Sequence, residues 1–245
     1  MQQAINLKIT ERDLRNYENS KFSKMRVNEK TIFLEDYEKN IKDMIVDCIT
    51  IDNTNNKCIL NANKLKDFMY PNIDADIFLS HSHNDLELAR KLANVIKYQT
   101  GKKVFIDSLV WENMYDLENH LNDKFSVINS DSNGYIYNYN KTKYIASHVR
   151  MLLTTALGSI IRKTKYFVVL NTGRSFINEA VTNSPWIYFE IFQATQYMKD
   201  TSKEALFESM EIEFDYNVED YIKHFKSVNL DCLISRLKNE NKVYY

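Results

Sequence analysis

The stretch from Ala75 to Asp85 constrains the fold more tightly than any other part of this chain. A short apolar run, Ile77-Phe78-Leu79, stops at the small polar residues Ser80-His81-Ser82, and a helix-period pattern begins directly afterwards. The run shows no apolar/polar alternation, which marks a strand covered on both faces, as in a parallel sheet. Ser82 or Asn84 is placed to cap the next helix, and Asp85 suits its positive end. Leu88, Leu92, Val95 and Ile96, supported by Ala89 and Ala93, form the stripe of that helix, and Gly101 is its stop. A second strand, Lys103 to Asp107, follows, and a strand–helix–strand unit of this kind crosses over right-handed. Ligands of open α/β sheets bind outside the carboxyl ends of the strands, so Ser80 to Ser82 and Asp107 mark an edge of the expected site.

Elsewhere the pattern is uneven. Residues 1–73 read as helical, with Ile41, Met44, Ile45 and Cys48 at helical spacing, a polar break at Asn53 to Asn56, and an end at Tyr70-Pro71. From Ser108 to about Ala146 the connection is far longer than the roughly 2 to 6 residues usual in an α/β unit, so it reads as an insertion. It holds Trp111, a charged helical piece over Leu117 to Phe125, a turn at Ser130 to Gly134, and a run of tyrosines. Val149, Leu152, Leu153, Ala156, Leu157, Ile160 and Ile161 predict a helix, and Tyr166 to Leu170 predicts a third strand ending in Asn171-Thr172-Gly173. Ser184-Pro185 predicts a helix start, with serine as cap and proline at the first helical position. A further strand is expected near Met210 to Phe214 and a final helix over Ile222 to Leu237.

Composition excludes several classes. With 4 Gly and 2 Pro in 245 residues, a sandwich of many tight turns is a poor fit, and none of the Gly-rich phosphate loops is present. The net charge is −1 and no stretch clusters Lys/Arg with stacking aromatics, so nucleic acid is not expected as a partner. Cys48, Cys58 and Cys232 lack CxxC spacing, which suits a reducing cytoplasm rather than a disulfide or zinc framework. The N-terminus lacks a secretory apolar region, and no apolar run is read as a membrane span. His81, His83 and Asp107 lack a fourth partner for a metal, and no resident metal or cofactor is expected.

Three segments carry a family resemblance. Asp76-Ile-Phe-Leu-Ser-His-Ser-x-x-Asp85 resembles the first strand and loop of Toll/interleukin-1 receptor (TIR) domains, bacterial ones especially. Lys103-Val-Phe-Ile-Asp107 resembles their second strand, and Ser184-Pro-Trp-Ile-Tyr-Phe-Glu190 resembles the Trp-x-x-x-Glu helix of TIR enzymes. The resemblance covers about residues 74–200. It implies a flavodoxin-like central parallel sheet flanked by helices over residues 74–245, with 1–73 as a helical N-terminal extension and an insertion at about 108–146. It also implies NAD⁺ as substrate, self-association through TIR–TIR contacts, and a part in bacterial antiviral defence or signalling. The insertion stands where most TIR domains carry a compact assembly loop.

Glu190 is the catalytic residue the resemblance implies. By periodicity it lies about 60 to 80° from the centre of the apolar stripe Ile187, Ile191, Ala194 and Met198, at a border between core and solvent, one turn after Trp186. Loss of solvation beside an indole raises a carboxyl pKa. Departure of nicotinamide from NAD⁺ yields a neutral leaving group, so the site needs one carboxylate to stabilise an oxocarbenium-like ribose, and no general acid. Ser80, His81 and Ser82 fall where the resemblance places nucleotide contacts, while turn formation and capping explain the same residues. Asp107 suits ribose hydroxyls or a cap, Trp111 a base or a packed interface, and Trp186 the shaping of a pocket. Two other readings stay open: a non-catalytic self-association module, and a flavodoxin-like nucleoside transferase that leaves NAD⁺ intact.

Overall fold

The computed structural model describes residues 3–21, 47–54, 57–69, 74–131, 134–177, 181–197 and 216–239. In chain order its elements are β1 (Gln3–Lys8), α1 (Glu11–Lys21), β2 (Ile49–Asp52), β3 (Lys57–Leu60), α2 (Ala62–Met69), β4 (Ile77–Ser80), α3 (Leu86–Thr100), β5 (Val104–Ile106), α4 (Ser108–Phe125), β6 (Val127–Asp131), β7 (Gly134–Tyr137), α5 (Tyr139–Lys163), β8 (Tyr166–Asn171), β9 (Val181–Thr182), α6 (Pro185–Tyr197), β10 (Tyr216–Asn217), α7 (Glu219–Ile222), β11 (Lys226–Val228) and α8 (Leu230–Asn239). They fall into two units. One comprises Met1–Ile32, Asp74–Asp107 and Ile160–Tyr245, the other Phe33–Ile73 and Ser108–Ser159.

The first unit is built on a five-stranded sheet of order β11-β1-β8-β4-β5, every neighbouring pair parallel. This is an α/β architecture consistent with a flavodoxin-like fold. The chain steps outward from β4 to β5 and then back past β4 to β8. Right-handed crossovers running in opposite directions put their helices on opposite faces. Accordingly α1, α3 and α8 pack together as one layer, and α6 belongs to the other.

The strand register divides the sheet's residues between these faces. Ile5, Leu7, Ile77, Leu79, Val104, Ile106, Val168 and Leu170 share one face and are all buried. The opposite face changes character along the strands. It carries Phe105, Phe78, Phe167 and Ala4 in one row, with Phe78 centred 5.3 Å from Phe105 and 5.6 Å from Phe167. One pleat further on stand Ser80, Val169 and Asn6, and beyond them Asn171. An apolar floor becomes polar at the carboxyl ends.

The strand–helix–strand unit stands as the sequence predicts, with Gly101 closing α3 in the left-handed region (φ 72°) and donating its N–H to the Lys97 carbonyl at 2.8 Å. The third strand likewise forms over Tyr166–Asn171. Among the described residues, 1–73 do not form the purely helical extension expected of them. Gln3–Lys8 is an inner strand of the sheet, paired with β8 on one side and β11 on the other. Ala4-Ile5-Asn6-Leu7 is too short for periodicity to tell strand from helix, and its partners lie more than 150 residues away in sequence. Helix begins only at Glu11, behind a reciprocal cap in which Asp13 accepts from the Thr10 N–H at 2.8 Å and the Thr10 hydroxyl accepts from the Asp13 N–H at 3.2 Å. The final helix expected over 222–237 is divided: α7 ends at Ile222, Lys226–Val228 is an edge strand, and α8 starts at Leu230. The strand expected near 210–214 lies outside the described residues.

In the second unit, β2 and β3 pair antiparallel, as do β6 and β7, whose ends Asp131 and Gly134 flank the tip of the turn expected at 130–134. The hairpin is tied to α4 by the Tyr137 hydroxyl donating to Asp123, and to the residue after α4 by the Asn138 N–H on the Ser126 carbonyl at 2.7 Å. Ile128, Tyr135 and Ile136 on it are exposed. By length and composition α5 is apolar enough to cross a membrane, contrary to the sequence expectation, and 44% of that stretch is buried inside the protein.

Candidate functional site

The site lies at the carboxyl ends of β4, β5 and β8, where the order of connections reverses and the crevice of a doubly wound sheet opens. β4 delivers Ser80 and His81, both buried. His81 Nδ1 donates to the Ser82 carbonyl at 2.6 Å, and its Nε2 stands 3.4 Å from Oδ1 of Asp107, just past β5. Side chains from two adjacent strand ends are thereby tied together out of solvent.

A second buried carboxylate joins the loops after β4 and β8. Asp85 accepts from the Ser82 hydroxyl at 3.0 Å, from the Thr172 hydroxyl at 2.6 Å and from Arg174 Nη1 at 3.1 Å, and its side chain has no exposure. Arg174 Nη1 also reaches the Asn84 carbonyl at 3.3 Å. Asp85 stands at the start of α3 as expected but makes no capping hydrogen bond there, and Ser82, expected with Asn84 as an alternative cap, makes none either. The carboxylate instead acts across the sheet, between residues 87 apart in sequence, a partnership that no local pattern announces.

Glu190 comes from α6. That helix starts as expected, with the Ile187 N–H donating to Ser184 Oγ at 3.3 Å and Pro185 in its first turn. Ile187, Ile191 and Ala194 are buried, and so is Glu190, with 0% exposure. The border position expected for it is therefore corrected: Glu190 is within the core. At about 100° per residue it lies about 40° from Ala194 and 60° from Ile187, inside a buried arc that is wider than the four-residue stripe suggested.

Burial holds the Glu190 carboxyl well above its ordinary 4.5, the negative charge of Asp107 raises it further, and the Ser80 hydroxyl opposes them. Ser80 and Asp107 thus lie close enough to act on its proton. Neither closes a well-formed hydrogen bond with it, and both carboxyl oxygens of Glu190 are buried with no hydrogen-bond partner among the described residues. A buried acid without partners is costly, by about 1 to 3 kcal/mol for the unmet polar group. Such a group in a native fold points to a role other than stability.

The structure brings together Ser80, His81, Asp107 and Glu190, with Ser82 joined to them by its carbonyl on His81. Trp186 is half-buried one turn before Glu190. Trp111 belongs to α4 in the other unit, and its side chain is outside the described residues. Among the described residues no three His, Cys, Asp or Glu side chains gather as a metal site. Sequence reasoning missed Asn6, Thr172 and Arg174. For Asn6 a signal existed, an amide in the middle of the apolar run Ala4-Ile5-Asn6-Leu7; for the other two none did. No protein-family model, curated protein or solved structure matches this chain.

Proposed function

We propose that this protein cleaves the bond between nicotinamide and ribose in NAD⁺, with Glu190 facing the anomeric carbon. One observation carries the reading: a fully buried, unpartnered carboxyl group stands beside Asp107 and Ser80 at the carboxyl ends of the strands. The pyridinium of NAD⁺ is a cation. Its arrival beside Glu190 favours loss of the carboxyl proton and offsets the cost of an ionised group in a dry site. The C1′–N bond then breaks with its electron pair going to nitrogen, nicotinamide leaves neutral, and the ionised Glu190 stabilises the oxocarbenium-like ribose. Water adding to C1′ and losing a proton gives ADP-ribose. Attack by another group of the same nucleotide gives a cyclic product. Asp107, held by His81, is suited to the ribose hydroxyls.

The resemblance to bacterial TIR enzymes supports the same chemistry. It extends the proposal to a cytoplasmic, self-associating protein of antiviral defence. A second reading, a non-catalytic module that signals by self-association, is favoured by the exposed Ile128, Tyr135 and Ile136 of the β6–β7 hairpin.

Nicotinamide release from NAD⁺, measured at low and high protein concentration beside Glu190→Gln, tests the choice. Turnover that falls at least about a thousandfold in the variant, from the loss of electrostatic stabilisation at the reacting carbon, is expected. A folded wild-type protein inert at both concentrations, or a variant as active as wild type, removes the enzymatic reading.

A further inference from the structure

The buried polar atoms of the first unit that make no hydrogen bond among the described residues are not scattered. Asn6 Oδ1, Ser80 Oγ, Asn171 Nδ2 and the two carboxyl oxygens of Glu190 are all of this kind. Asn6 and Ser80 both stand in register with Val169, on β1 and β4 either side of β8, and Asn171 is two residues beyond Val169. Residues in register point to the same face, as do residues two apart along a strand. All three side chains therefore share the face on which Glu190 meets Ser80. Asn6 is 7% exposed and Asn171 8% exposed, so water at the surface does not serve them.

We propose that Asn6 and Asn171 form a subsite that reads a primary carboxamide, the nicotinamide end of the dinucleotide; this rests on the NAD⁺ reading above. The orientation of Asn171 is set by its own contact. The Gly173 N–H donates to Asn171 Oδ1 at 3.4 Å, which leaves Nδ2 as the donor facing the site. Asn6 offers the acceptor Oδ1 from the adjacent strand. One donor and one acceptor, on diagonal positions of neighbouring strands about 4.8 Å apart, complement the C=O and NH₂ of one amide. Position agrees with chemistry. Asp107, Ser80, Asn171 and Asn6 follow one another across four strands. Ribose hydroxyls held at the Asp107 side, with C1′ near Glu190, leave the ring on C1′ directed toward β8 and β1.

A site of this kind discriminates against a carboxylate in place of the amide, because the charge would face Asn6 Oδ1 and leave Asn171 the sole donor. The test uses full-length protein carrying Glu190→Gln, so that ligands persist, and measures by calorimetry the affinities of NAD⁺ and of its nicotinic acid analogue. The expected result is a preference for NAD⁺ of about tenfold or more that collapses toward unity when Asn6→Leu is added, and likewise with Asn171→Leu should the first double variant fail to fold. The ratio is internal to each variant, so a general loss of affinity does not imitate the effect. An unchanged ratio overturns the subsite, whatever the change in melting temperature. Failure of NAD⁺ to bind the Glu190→Gln protein, with no turnover by wild type, overturns the parent reading instead.

Discussion

Two carboxylates, Asp85 and Glu190, are equally buried at the same end of one sheet and could hardly differ more in company. Asp85 receives two hydroxyls and a guanidinium. Glu190 receives no hydrogen bond among the described residues, and its neighbour Asp107 is of like charge. A satisfied buried carboxylate fixes loops in place, whereas an unsatisfied one stores free energy that a bound cation can release. Burial alone therefore does not separate an architectural acid from a functional one, but the inventory of donors around it does.

The largest effect that sharpens this contrast is on activity. Glu190→Gln removes the charge from the reacting carbon and is expected to abolish turnover while leaving the fold intact or slightly more stable, because an amide is less costly to bury than an acid beside a carboxylate. The converse is expected at Asp85. Asp85→Ala strands the Ser82 and Thr172 hydroxyls and one guanidinium contact, with a loss of about 3 kcal/mol in urea unfolding. Equal and opposite stability changes are not required, but loss of stability in both variants would break the comparison.

Next in size is a dependence on pH. The Glu190 carboxyl is held above its ordinary 4.5, so over the range between that value and its native one the folded state keeps a proton that the unfolded chain has lost. Its contribution to stability is full below 4.5 and is lost as the pH rises through the native value, with a slope of at most about 1.4 kcal/mol per pH unit. Glu190→Gln lacks this slope, so the variant gains on wild type as pH rises. Urea midpoints at a series of pH values check it, and parallel profiles would mean that Glu190 is ionised in the native state.

The same contrast explains how much was legible in the sequence. The strand ends at Ser80 and Asp107 and the cap at Ser184 are local, each decided by fewer than ten residues, and they read correctly. Glu190 was singled out by the resemblance of its helix to the Trp-x-x-x-Glu segment of TIR enzymes, yet its depth was misjudged, because the width of a buried arc depends on what packs around α6. β1 and β11 escaped notice because six and three residues carry no period, and their strand character is conferred by neighbours remote in sequence. Two of the three donors around Asp85, Thr172 and Arg174, come from across the sheet, and Asn6 joins the site only through its register with β8. What failed to show was in each case a pairing between distant segments, and the polar face at the heart of the candidate site is made of such pairings.

The finest test lies within the Asp85 cluster and sets formal charge against burial. Arg174 carries the charge, but its side chain is 52% exposed, so water competes for it and its pairing is screened. Thr172 is neutral, but it is less exposed and its hydroxyl makes the shortest of the three contacts, at 2.6 Å. Removing it as Thr172→Val keeps the shape and deprives a buried carboxylate of a donor that no solvent replaces, at about 1.5 kcal/mol. Arg174→Ala is expected to cost less, about 0.5 kcal/mol, since two hydroxyls still serve Asp85 and water takes the place of the guanidinium. Urea denaturation of the two single variants decides the order. If Arg174→Ala proves the more damaging, then Asp85 is held chiefly by charge, and its difference from Glu190 is one of ionic pairing rather than of hydrogen-bond donors.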